Sequence, residues 1–128
     1  MWLEKQIEKR IIQYLNNIWA IVEWQNWWSV MIKKWKFTHK MTLQTKGCPD
    51  IICFYKWEFI WIEVKKDLEQ VNKWIKLKDR YKAGETLPKS YKRELNQIKY
   101  MEKILENWWH FILTYELDEV ITFIDGLK

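Results

Sequence analysis

Apolar positions recur at helical spacing from the start of the chain. Leu3, Ile7, Ile11, Tyr14, Leu15 and Ile18 line one side of an amphipathic helix predicted from about residue 3 to 17. The period then shortens. Ala20 to Glu23 reads as a short strand, and Val30 to Lys33 with Lys36 to His39 suggest a further strand or a hairpin around a basic turn. Ile51 to Tyr55 and Phe59 to Val64 are rich in Ile, Phe, Val and Tyr, so both read as buried strands, separated by a turn at Lys56 and Trp57. Residues 67 to 82 place Val71, Trp74, Ile75 and Leu77 among alternating charges, which predicts a helix ended by the loop from Ala83 to Pro88. Ser90 is placed to cap a long helix to about Glu106, with Glu94 in its early turns. Phe111 to Tyr115 reads as an apolar strand and Asp118 to Ile124 as a final short helix. The expectation is one α/β domain over residues 1–128: a mixed sheet flanked by helices, ordered roughly αβββαβ with an inserted helix.

A two-residue hairpin loop at Lys56 and Trp57 would pair residue 55 with 58, and hence place residue 50 opposite 63. Asp50 and Glu63 then share one sheet face. Side chains alternate along a strand, so Lys65 joins that face while Ile62 and Val64 point away. Two carboxylates at cross-strand distance repel each other unless a cation lies between them, and hard oxygen ligands favour magnesium or manganese. Asp50 and Glu63 are the candidate ligands, with the Val64 carbonyl as a third. A divalent ion there would polarise a phosphodiester oxygen and acidify a bound water, and Lys65 would stabilise charge developing on the phosphate or hold the attacking hydroxide.

Pro49-Asp50 followed by Glu63-Val64-Lys65 resembles the PD-(D/E)XK nuclease superfamily, and in particular its VRR-NUC branch of small phage and bacterial nucleases. That branch has an early helix bearing a glutamate, then Gly-x-x-Asp (here Gly47 to Asp50), then Glu-Val-Lys, then a helix with a glutamine. The resemblance spans nearly the whole chain. It implies a restriction-endonuclease-like core, Glu4 as the first-helix metal ligand with Glu8 one turn on as its competitor, and Gln97 as the later catalytic residue. The implied function is metal-dependent DNA endonuclease activity in phage or bacterial replication, repair or recombination, with branched or flapped DNA among the candidate substrates, by a monomer or homodimer. The stretch from about 66 to 93 departs from the shorter connection of small family members. It is basic, and Lys66, Lys92 and Arg93 are its candidate DNA contacts.

Composition changes this picture at one point. Eleven Trp and three Gly in 128 residues invert ordinary usage, since about 7% glycine would give roughly nine. Many of the Trp fall where turns belong. The family resemblance implies glycine at Trp19, Trp28, Trp35, Trp57, Trp108 and Trp109, as if UGA codons read as glycine in the cell had been translated as tryptophan. Trp74, inside the amphipathic basic segment, reads as genuine. An aromatic surface for stacking bases is the competing reading.

The remaining features narrow the function less. A net charge of +5 favours a polyanionic partner without demanding one. Cys48 and Cys53 have neither metal-knuckle spacing nor the geometry for a disulfide and read as neutral thiols. His39 and His110 lack ligand spacing, and His110 reads as structural. No leader and no long apolar span is visible, so a cytoplasmic protein without membrane contact is expected. Two further readings compete: a noncatalytic nucleic-acid-binding module on the same fold, and an aromatic, basic surface protein acting through its tryptophans.

Overall fold

The computed structural model describes residues 2–24 and 48–127. Helix α1 (Trp2–Asn17) is followed by strands β1 (Ile21–Trp24), β2 (Ile51–Tyr55) and β3 (Glu58–Val64). Helix α2 (Leu68–Lys82), a 3-10 turn (Lys89–Tyr91) and helix α3 (Lys92–Glu106) lead to strand β4 (His110–Thr114) and helix α4 (Leu117–Gly126). The four strands form one mixed sheet in the order β1-β2-β3-β4. The first three are antiparallel, and β4 runs parallel to β3. Parallel neighbours need a crossover, which α2 and α3 supply. The αβββαβ expectation therefore stops short of the observed order, which closes with α4. The strands expected at 30–33 and 36–39, along with His39, Trp28 and Trp35, lie outside the described residues.

Strand alternation sorts the side chains into two cores. Ile51, Cys53, Ile60, Ile62, Val64 and Ile112 point to one face, where Ile7, Ile11 and Leu15 of α1 and Val120 and Ile124 of α4 cover them. On the other face Trp74, Leu77 and Leu87 pack with Ile98 and Met101 of α3, against Phe111 and Leu113 of β4. The basic insertion is thus half of a helical layer with its own apolar core. Burial of each large apolar side chain contributes about 1.5–3 kcal/mol, so Val71, Trp74 and Leu77 give α2 a packed face of its own.

The β2–β3 hairpin has the expected register: Tyr55 pairs with Glu58 and Ile51 with Ile62. Continued one step beyond the Ile51–Ile62 pair, that register sets position 50 against Glu63. The 106-ended helix starts later than expected. Pro88 opens a 3-10 turn, with the Tyr91 amide donating to the Pro88 carbonyl at 3.0 Å, and α3 begins at Lys92 with Tyr91 as a cap that makes no side-chain bond. Ser90 is therefore not its cap.

Three tryptophans hold left-handed backbone: Trp19 (φ 67°), Trp57 (φ 69°) and Trp108 (φ 62°). Their side chains are 91–92% exposed. Trp109, also expected as glycine, has no left-handed φ and instead stacks on Trp61 at 5.8 Å.

Candidate active site

The site forms at the end of the β2–β3 hairpin that faces α3. Asp50 precedes β2 and turns its Oδ2 onto the Val64 backbone N–H at 2.9 Å. That bond crosses the strands and fixes the carboxylate beside β3. Glu63, in the last turn of the pleat before β3 ends, is 2% exposed. Lys65 continues the same face, and its backbone N–H donates to the Thr114 carbonyl at 2.8 Å, so the parallel pairing with β4 holds its stem in place.

Gln97 arrives from the middle of α3 and joins these groups. Its Nε2 donates to Glu63 Oε1 at 3.0 Å, and its Oε1 accepts from Lys65 Nζ at 3.0 Å. Lys65 Nζ also lies 3.6 Å from Glu63 Oε1. A second donor reaches Gln97 Oε1, the indole Nε1 of Trp74, again at 3.0 Å. Gln97 and Lys65 are buried. A buried amide whose carbonyl and amino ends both find partners is conformationally fixed.

Acidic groups crowd this corner. Burial pushes the Glu63 carboxyl well above the usual range, and the neighbouring Asp50 charge pushes it further, while Lys65 and Arg93 oppose the rise. Asp50 is raised by burial and by Glu4, against its bond to Val64 and the charges of Lys65 and Arg93. Glu8, buried on α1 beneath the Trp24 indole at 3.4 Å, is pushed up to about 7 by burial and then by Asp50. Each of these shifts has the sign expected for carboxylates packed together away from water.

Of the expected residues, Asp50, Glu63, Lys65 and Gln97 therefore meet. Glu4 sits half-buried in the first turn of α1 and acts on Asp50 by charge alone. Among the described residues no three His, Cys, Asp or Glu groups gather closely enough to hold a metal ion. The expected three-acid cage of Glu4, Asp50 and Glu63 is thus not drawn together. The physical reason is that Glu63 is held by Gln97 and Lys65, while Asp50 is turned onto the Val64 amide. The donor set still suits magnesium or manganese, which keep several waters and take one or two carboxylates. These contacts use one oxygen of each acid, and the charge of Asp50 on Glu63 and of Glu4 on Asp50, added to the larger effect of burial, is one that a cation would offset.

Two residues at this corner carry no signal in the sequence. Trp74 reads only as a core position of α2. Cys48 lies near enough for Asp50 and Glu63 to help raise its thiol, which burial pushes up to about 11 against a hydrogen bond to Tyr100. Cys53 is buried in the sheet core and raised to about 12, and both thiols are free. His110 bonds Glu58 Oε2 at 2.8 Å, away from the acids. Lys66, Lys92 and Arg93 are exposed, and Arg93 lies near enough to act on Asp50 and Glu63 by charge. No helix among the described residues is long and apolar enough to cross a membrane. No family model, curated protein or solved structure matches this chain.

Proposed function

We propose that the protein is a magnesium- or manganese-dependent DNA endonuclease that hydrolyses phosphodiester bonds. The observation that carries this reading is the meeting of Asp50, Glu63, Lys65 and Gln97 on one sheet face, with two acids crowded beside a fixed ammonium group. Asp50 and Glu63, with the Val64 carbonyl, would hold the ion, and Glu4 or Glu8 would reach it through water. When bound, the ion supplies Lewis acidity toward the phosphate and an acidified water. Lys65 presents its ammonium to charge developing on the scissile phosphate, and Gln97 keeps that ammonium aimed while it also holds Glu63. Lys66, Lys92 and Arg93 would bind flanking phosphates. An open cleft of about 770 Å³ along α2, lined by Lys73, Lys76, Arg80 and Tyr91, would extend that track. The family resemblance points to a role in phage or bacterial replication, repair or recombination.

The test is nicking of supercoiled, flapped and branched DNA with Mg²⁺ or Mn²⁺. Asp50→Asn, Glu63→Gln and Lys65→Ala are each expected to abolish cleavage and to leave DNA binding largely intact. Persistent cutting by all three variants would remove the assignment. Wild-type protein that binds DNA without cutting would instead favour a noncatalytic binding module on the same fold.

A further inference from the structure

We propose that Trp74 is a positioning residue of this site: its indole N–H locks the orientation of the Gln97 amide. The catalytic consequence rests on the nuclease reading, but the geometry does not. Trp74 lies at the centre of α2, is 2% exposed and stacks on Phe111 at 5.8 Å. Bulk alone would satisfy that packing. The indole adds a donor, and it is aimed at Gln97 Oε1 at 3.0 Å. The two ends of a glutamine amide are alike in shape and opposite in hydrogen bonding. As observed, Oε1 accepts from Lys65 and Trp74 while Nε2 donates to Glu63. A half-turn of the amide would set an N–H against two donors and a carbonyl against a carboxylate. In a buried site such mismatches are costly. Without the indole N–H only Lys65 and Glu63 oppose the flip, and both are groups that a substrate phosphate or a cation would engage. Trp74 holds the amide from the buried side of the site.

The experiment compares wild type with Trp74→Phe and with Trp74→3-benzothienylalanine, which replaces the N–H by sulfur at nearly the same shape and so protects the fold. Phe111→Leu is the control that weakens the stack and keeps the donor. NMR of the Gln97 side-chain amide reads orientation directly, and single-turnover cleavage reads the consequence. Both Trp74 variants are expected to shift the Gln97 amide signals, to speed their exchange with water about tenfold, and to lower the cleavage rate about tenfold at nearly unchanged DNA affinity. Phe111→Leu is expected to melt earlier with the amide pattern retained. An unmoved Gln97 amide in a folded Trp74 variant overturns the proposal, as does an unchanged rate in an enzyme that cuts. If the amide responds and wild type cuts nothing, the positioning role stands and the nuclease reading falls.

Helices α1, α2 and α3 end in the same motif, in which two backbone amides turn back onto the last carbonyls: Ala20 to Leu15 and Trp19 to Asn16, Glu85 to Arg80 and Gly84 to Tyr81, Trp109 to Ile104 and Trp108 to Leu105. The residue that must be left-handed is Gly84 in α2, but Trp19 and Trp108 in the others. Trp57 occupies the second position of the Lys56-Trp57 hairpin turn, where both residues have positive φ. We infer that positions 19, 57 and 108 are glycine in the native protein, encoded by UGA. Each is a site where the missing Cβ removes strain and where the side chain is almost wholly in solvent. The gene and peptide mass spectrometry of the protein from its own host decide the matter. UGA codons and glycine at 19, 57 and 108, with UGG and tryptophan at 74, are expected; UGG at the three turn positions overturns the inference.

Discussion

At the scale of single residues, burial and neighbouring charge make the acids of the site sensitive to pH. Glu8 is the clearest case, with its carboxyl raised from 4.5 to about 7. A carboxyl whose folded pKa lies above its ordinary value favours the protonated native state. Its contribution is complete below pH 4.5 and is lost as pH rises through about 7. Asp50 and Glu63 act in the same direction. The unfolding midpoint of metal-free protein is therefore expected to fall between about pH 5 and pH 8. Glu8→Gln should recover part of the loss, on the order of 1–3 kcal/mol by denaturant titration. A midpoint that climbs over that range would contradict the described burial. The turn tryptophans give a second residue-scale expectation: Trp57→Gly, made in the tryptophan form, should stabilise the protein by about 1–2 kcal/mol, and Gly84→Ala should cost about as much.

At the scale of elements, α2 connects the chemistry to the fold. It starts at Asp67, whose Oδ1 accepts from the Gln70 backbone N–H at 2.9 Å, directly after Lys65 and Lys66. Asp67→Ala should cost about 1 kcal/mol of stability. It should also raise amide exchange through the first turn of α2, measured by hydrogen–deuterium exchange. Much of this level was legible in the sequence. A two-residue turn allows one pairing for its hairpin, so the Asp50–Glu63 register followed from Lys56-Trp57 and two apolar runs. Gln97 was placed through resemblance, because nothing in the periodicity of α3 separates an inward glutamine from a solvated one. The Trp74 contact could not be read at all: helical spacing marks position 74 as core, yet the direction of an indole N–H depends on how α2 crosses α3. The misplaced cap at Ser90 has a similar cause. Pro88 opens a 3-10 turn over Lys89–Tyr91 that takes in Ser90, so the α-helix starts only after it.

At the scale of the whole molecule, a sheet covered on both faces leaves one corner where the acids meet the basic surface of α2 and α3. Arg93 is the member of that basic surface that opposes the raised pKa values of both Asp50 and Glu63. In salt titrations of DNA binding, Arg93→Ala should reduce the slope of log affinity against log salt by about 1, with similar loss across sequences. A change confined to one sequence would place Arg93 against a base instead.

The parallel pairing of β3 with β4 has a temporal consequence. The acids and the lysine are translated by residue 65, whereas the glutamine that clamps them and the strand that anchors the Lys65 backbone come more than thirty residues later. Pairing across so long a crossover is slow compared with closing a hairpin. A nascent or truncated chain therefore carries charged groups in the right order but unassembled, and whatever chemistry they perform begins only once the last strand has docked.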